Sequence, residues 1–149
     1  MTTKSPVLVR VSHRFHAPAE RVYDAWLDPR MIGRWMFGVA LPEEVLHLHV
    51  DARVGGSFSF LVRREGREID HVGEYLELDR PRHLAFTWGI RGAEGGAASR
   101  VAIEIVPTEA GCELTLNHEL HPDWADYAER TEKSWATMIG ILDGALAAG

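Results

Sequence analysis

Hydrophobic residues at helical spacing dominate the last quarter of the chain. Between residues 124 and 148, apolar or small side chains recur in alternating steps of three and four, which keeps them on one face of an α-helix. Pro122 and Asp123 suit the first turn and the N-cap of such a helix. The pattern therefore predicts one long amphipathic helix over residues 124–148, whose apolar face lies on another element.

Alternating apolar and polar residues predict seven β-strands upstream of that helix. These strands cover residues 7–15, 45–50, 57–64, 70–78, 84–89, 100–105 and 112–118. Two short helices follow the first strand, one opened by Pro18 and the other capped by Asp28-Pro29. Gly38 is expected to end the second helix, and the Gly- and Ala-rich residues 91–99 are expected to form a loop. The order predicts an α+β fold, in which a curved antiparallel seven-stranded sheet wraps around the long C-terminal helix.

Large side chains from the sheet and from the final helix are predicted to point into the same space. Strand alternation and helical spacing give this set: Phe58, Phe60, Phe86, Trp88, Trp135, Met138, Ile139 and Leu142. A packed core and the wall of a cavity use the same residue types. The pattern alone leaves both interpretations open.

Three polar residues share the predicted inner face of the sheet, namely His13, Glu74 and His118. A buried imidazole or carboxyl group needs partners and has a shifted pKa, so these residues are candidates for ligand anchors or for an acid–base pair. The alternative is that they lie at an open rim or bond to backbone groups. A β-bulge at Gly73 would turn Glu74 outward.

Composition narrows the possible function classes. The 149 residues, 46% of them hydrophobic, match the size of one domain, so we expect a single domain over residues 1–149. A net charge of -6 without a basic cluster argues against nucleic acid or an anionic membrane as partner, and no apolar run is long enough for membrane insertion. Because Cys112 is the only cysteine and the N-terminus lacks a signal-peptide pattern, we expect a cytoplasmic location.

Eight histidines and one cysteine raise the question of metal binding or nucleophilic catalysis. His47 and His49 lie two apart on one strand face, but no further ligands accompany them. Cys112 has no His or Asn beside it in a recognisable pattern. A serine-nucleophile elbow, a phosphate loop and a dinucleotide fingerprint are missing from the sequence. We therefore predict no metal site, no cofactor and no catalytic residue.

Several local sequences resemble one superfamily and occur in its order. In chain order they are Phe15-His16-Ala17-Pro18, Ala25-Trp26, Asp28-Pro29, Arg34-Trp35, residues 51–60, Gly73-Glu74-Tyr75, Phe86-Thr87-Trp88, residues 114–118 and Ser134-Trp135. They are similar to the branch of the SRPBCC (START-like) superfamily related to the activator of heat-shock-protein ATPase, the AHSA-type domain. The resemblance covers essentially the whole chain and implies a helix-grip fold with a hydrophobic cavity between sheet and long helix. His13, Met36 and Ser134 depart from that branch at positions that could line the cavity.

The residues and the resemblance together predict a small ligand-binding protein that holds a hydrophobic or aromatic small molecule in this cavity. Its predicted ligand-binding residues are Phe58, Phe60, Glu74, Phe86, Trp88, His118, Trp135, Met138, Ile139 and Leu142. One alternative is a cyclase- or hydrolase-like enzyme that uses the cavity His and Glu for proton transfer. The other is a chaperone-related protein-interaction module. Gly140 and Gly144, four apart in the final helix, fit either a homodimer contact or fraying near a chain end.

Overall fold

The described part of the chain folds into seven strands and three α-helices. The computed structural model describes residues 7–37, 43–91, 99–120 and 122–148. The strands are β1 (Val7–Phe15), β2 (Glu43–Val50), β3 (Ser57–Arg64), β4 (Arg67–Asp79), β5 (His83–Ile90), β6 (Ser99–Pro107) and β7 (Cys112–Leu120). The helices are α1 (Ala19–Ala25), α2 (Pro29–Trp35) and α3 (Ala128–Ala148). The predictions for Gly38 and for residues 92–98 lie outside the described residues.

The strands form one antiparallel sheet in the order β1-β7-β6-β5-β4-β3-β2. The first and last strands of the chain are therefore neighbours, and Val9 pairs with His118. The helices α1 and α2 connect β1 to β2, which lie at opposite edges of the sheet. The inner face of the sheet and the helices share one hydrophobic core. The predicted α+β, helix-grip-like fold is confirmed.

The helix α3 has the predicted apolar face but a later start. Trp135, Ile139 and Leu142 are buried in the core, as the spacing predicts. The prediction that the α-helix begins at residue 124 is wrong, because Pro122–Tyr127 forms a 3₁₀ helix and the α-helix begins at Ala128. Short 3₁₀ segments are common at helix ends. Within the described residues, no helix has the length and apolar character needed to cross a membrane.

The short helix α2 begins as its sequence predicts. Asp28 is its N-cap, with Pro29 in the first turn, and the Asp28 side chain accepts a hydrogen bond of 3.0 Å from the backbone N–H of Arg30. The indole N–H of Trp35 donates to the backbone carbonyl of Ala25 over 3.1 Å. This buried bond fixes α2 against the end of α1.

The strand β4 turns the opposite face inward from the one predicted. Tyr75 and His71 are buried, whereas Glu74 is exposed. The backbone N–H of Glu74 donates to the Thr87 hydroxyl over 2.8 Å. A β-bulge between Tyr75 and Glu77 shifts the register, so that Leu78 still packs against the core. The predicted inward position of Glu74 is therefore wrong.

A second bulge changes the inner face of β2. The register shifts between Val45 and His47. As a result Val45, Leu48 and Val50 pack against the core. Strict alternation would group Leu46 with Leu48 and Val50 instead of Val45, because it assumes an unbroken ladder.

Candidate functional site

A small apolar slot lies between the ends of the two short helices and the central strands. Its walls come from the residues that follow α1 and α2 and from β3, β4 and β5. The lining residues are Trp26, Met36, Phe58, Phe60, Tyr75, Phe86 and Trp88. The slot is partly open to solvent and has a volume of about 10 Å³. That volume is about the minimum that holds one water molecule.

A glycine on β4 makes room for the ring at the centre of this slot. Gly73 pairs directly with Phe58 on β3. A Cβ atom at Gly73 would overlap the carbonyl oxygen of Thr87 and approach the Phe58 ring to 2.5 Å. The absence of a side chain therefore lets the Phe58 ring lie against β4.

The aromatic rings around the slot interlock. Phe58 stacks on Phe60 with ring centroids 4.8 Å apart and meets Phe86 edge-to-face at 5.6 Å. Trp88 lies 5.8 Å from the Phe58 ring and 5.5 Å from the Trp135 ring on α3. Such spacings are typical of favourable aromatic pairs. In this conformation these rings pack closely against one another around the narrow slot.

The slot carries no charged side chain among its described lining residues. Burial, and secondarily the charge of Asp51, raise the pKa of Tyr75, so its phenol stays protonated at neutral pH. His71 lies at the edge of the same aromatic group, with ring centroids 5.4 Å from Trp88, and its Nδ1 is 3.2 Å from the carbonyl oxygen of Phe60. The environment suits an uncharged, mainly apolar ligand.

His118 lies at the centre of a buried hydrogen-bond chain that joins four elements. The Trp135 indole N–H donates to His118 Nδ1 over 3.1 Å. His118 Nε2 lies 2.6 Å from the Ser99 hydroxyl, which itself donates to the Trp88 carbonyl oxygen over 2.8 Å. Because the Ser99 hydroxyl donates its only proton to the Trp88 carbonyl oxygen, His118 Nε2 must be the donor in its bond to Ser99. Both ring nitrogens are thus occupied, and the imidazole is neutral.

Burial has a large effect on this imidazole. Only 3% of His118 is exposed, and desolvation lowers its pKa from 6.5 to about 4. His118 therefore acts in this conformation as a structural link between β7, β6 and α3. The ring has no nitrogen left for a ligand or for proton transfer.

The three polar residues that the sequence grouped together do not meet. His13 Nε2 pairs with Asp143 Oδ2 at 2.9 Å, which connects β1 to α3 in a half-buried position. Val9, the residue opposite His118, is four residues away from His13, a distance of about 13 Å along the strand. Glu74 lies on the other face of the sheet. The predicted acid–base pair of His118 with Glu74 or His13 is therefore not assembled.

Four of the ten predicted ligand-binding residues line the slot, namely Phe58, Phe60, Phe86 and Trp88. Trp135, Ile139 and Leu142 are fully or almost fully buried in the core, and Met138 packs against it. The described slot is thus next to the end of α2, and no residue of α3 is among its lining residues. Whether any of these residues binds a ligand stays a prediction.

Sequence reasoning missed two lining residues, Trp26 and Tyr75. It noted Met36 as a departure from the family pattern at a position that could line the cavity, but did not include it among the predicted ligand-binding residues. The apolar spacing of the first short helix places Trp26 in the core without indicating a site. Tyr75 was assigned to the outer face because the bulge in β4 is not visible in the alternation. Recognition of Gly73 as the partner of a large ring on β3 would have indicated the correct face.

The remaining candidates for chemistry lie apart from the slot. Cys112 is buried, its thiol donates weakly to the Ala17 carbonyl oxygen at 3.5 Å, and burial raises its pKa. His47 and His49 are exposed on β2, with stacked rings 6.3 Å apart. Across the described ranges, no group of three or more His, Cys, Asp or Glu side chains is placed to hold a metal ion.

A curved antiparallel sheet packed on a long C-terminal helix, with two short helices after the first strand, defines a helix-grip-like protein. The family model described as Activator of Hsp90 ATPase homolog 1-like protein matches residues 16–147. The chain therefore belongs to this family, which is part of the SRPBCC superfamily. Proteins of this fold commonly bind hydrophobic ligands.

Solved structures from three bacteria have the same fold. A Chromobacterium violaceum protein is 25% identical with a TM-score of 0.80, over 92% of this chain and 94% of that one. A Nitrosomonas europaea protein is 21% identical with a TM-score of 0.81, over 95% of each chain. An AHSA1-like protein of Aeromonas hydrophila is 17% identical with a TM-score of 0.79, over 95% and 93%. No curated protein matches the chain.

Proposed function

We propose that the protein binds a flat, apolar small molecule in the slot between the end of α2 and strands β3, β4 and β5. The observation that carries this proposal is the convergence of seven large uncharged side chains on one partly open space. Small-molecule sites are mostly apolar and aromatic, with few polar groups. The membership in a fold that commonly binds hydrophobic ligands supports the proposal.

Ligand binding in this slot requires the slot to widen. Its volume of about 10 Å³ is far below that of an apolar cavity that accepts benzene, roughly 150 Å³. Met36 is suited to move because its side chain is unbranched and flexible, and Trp88 is only partly buried. Because only open molecules bind, the apparent affinity is the affinity of the open form multiplied by the fraction of molecules that are open.

Two methionine variants test the position of the site. We use 2-isopropenylnaphthalene, a flat apolar probe, and measure its binding by equilibrium dialysis. Met36→Ala removes a slot wall and should bind the probe about tenfold or more tightly than the wild type, because widening is no longer needed. Met138→Ala is the matched control, since Met138 packs against the core from α3 and does not line the slot.

The outcomes separate the binding site from its alternatives. Saturable one-to-one binding that is strengthened only by Met36→Ala supports the proposal. A larger effect of Met138→Ala would place the ligand beneath α3 instead. If neither variant nor the wild type binds the probe saturably, the small-molecule proposal fails.

A second candidate function is favoured by the interlocked rings of the interior. A domain whose interior is filled would act through its surface. The description of the matching family, Activator of Hsp90 ATPase homolog 1-like protein, points to Hsp90 as a partner. The test is ATP turnover by purified Hsp90 with and without an equimolar amount of this protein. A rate increase that disappears when the protein is heat-denatured would support this function, and an unchanged rate would reject it.

A further inference from the structure

Three tryptophans pack together beside the slot, and one of them has an indole N–H without a hydrogen-bond partner. The Trp26 ring lies 4.6 Å from Trp35 and 5.9 Å from Trp135, measured between centroids. Trp35 donates to the Ala25 carbonyl oxygen and Trp135 donates to His118 Nδ1, each over 3.1 Å. Within the described ranges, Nε1 of Trp26 is buried and has no acceptor.

The residue that carries this unpaired donor lines the slot. Of the three tryptophans, only Trp26 lines it, although only 3% of the residue is exposed. Buried donors without acceptors are rare in folded proteins because their desolvation is not compensated. The edge-to-face Trp35 ring offers at most a weak N–H···π contact in place of an oxygen acceptor.

We infer that Nε1 of Trp26 donates a hydrogen bond to an oxygen atom of the ligand. The inference rests on the proposed function, since it concerns the same slot, and it specifies the class of ligand. That ligand is a flat, uncharged aromatic compound with a carbonyl or ether oxygen on its edge. A carboxylate is disfavoured because the described lining residues offer no cation to a buried negative charge.

A pair of probes that differ at one non-hydrogen position isolates this hydrogen bond. In 2-acetylnaphthalene a carbonyl oxygen occupies the place of the methylene group of 2-isopropenylnaphthalene. We expect the wild type to bind the ketone about fivefold more tightly, the factor that corresponds to a net hydrogen bond of about 1 kcal/mol. The variant Trp26→Phe should lose this preference for the ketone, because the ketone oxygen is then buried without a donor.

A second measurement uses only the wild-type protein, because Trp26→Phe removes buried volume and could fail to fold. The five tryptophans give five indole N–H signals in a ¹H–¹⁵N correlation spectrum. The ketone should move the Trp26 indole proton downfield by more than the isopropenyl probe does. The Trp135 indole proton, already bonded to His118, serves as the internal reference.

Each outcome decides either the inference or the proposed function. A ketone preference that depends on Trp26, or the selective downfield shift, supports the inference. Equal binding of both probes to the wild type without a selective shift overturns it and leaves the proposed function standing. Saturable binding of neither probe overturns both.

Discussion

Acidification should destabilise this protein through His118. The imidazole has a pKa of about 4 in the folded state, against 6.5 when it is exposed. Above pH 6.5 neither state binds the proton, so the free energy of unfolding does not depend on this group. Between pH 6.5 and 4 the unfolded state binds more protons than the folded state, and stability falls as the pH is lowered.

The size of the effect follows from the two pKa values. The full difference between them is equivalent to about 3.4 kcal/mol, and this full loss is reached only below pH 4. At pH 4.5 the loss is about 2.5 kcal/mol by the same relation. This is a large part of the 5–15 kcal/mol that typically stabilises a domain.

The variant His118→Gln separates this contribution from that of other titrating groups. The glutamine amide provides both an acceptor for the Trp135 N–H and a donor for the Ser99 hydroxyl, yet it does not titrate. Urea denaturation of both proteins, followed by tryptophan fluorescence, gives the free energy of unfolding at pH 7.5 and 4.5. The wild type should lose about 2.5 kcal/mol more than the variant over this range. Equal losses would refute the assignment of a neutral, buried His118.

Three further substitutions test local features, with urea denaturation as the measurement. Gly73→Ala should lower the free energy of unfolding by about 1–3 kcal/mol, because the new Cβ overlaps the Thr87 carbonyl, and an unchanged stability would contradict this packing. Gly140→Ala should raise it by about 1 kcal/mol, since nothing in the structure lies within 4 Å of that Cβ; a loss would instead indicate a close neighbour across a dimer contact. Asp28→Ala should lower it by about 1 kcal/mol through loss of the bond to the Arg30 N–H, whereas Asp28→Asn should be nearly neutral.

The fold was predictable because most elements have an unbroken hydrophobic period. Phe58 and Phe60 on β3, and Phe86 and Trp88 on β5, alternate strictly, and all four lie where alternation places them. The buried face of α3 follows its 3.6-residue period in the same way. The face of β4 was not predictable, because a single extra residue between Tyr75 and Glu77 reverses the sides on which its residues lie.

The state of the polar residues depends on contacts that no sequence pattern contains. The strand pattern correctly placed His118 inside, and it is buried. Its lack of a free nitrogen depends on Ser99, Trp88 and Trp135, which come from three other elements. The sequence does not reveal the unpaired Trp26 N–H either. Trp35 and Trp135 are also tryptophans, and both have acceptors for their indole N–H groups.

The distribution of these bonds favours one place of opening for the proposed ligand. The helix α3 is held to the sheet by the Trp135–His118 bond, by the His13–Asp143 pair and by the fully buried Ile139. Removing α3 from the sheet would break the buried bond between the Trp135 N–H and His118 Nδ1 and separate the half-buried His13–Asp143 pair, which is costly. Displacing Met36 from the slot breaks only apolar contacts, for which a ligand ring substitutes directly. Opening on the α2 side therefore needs less free energy, and it exposes the wall that contains the unpaired Trp26 donor.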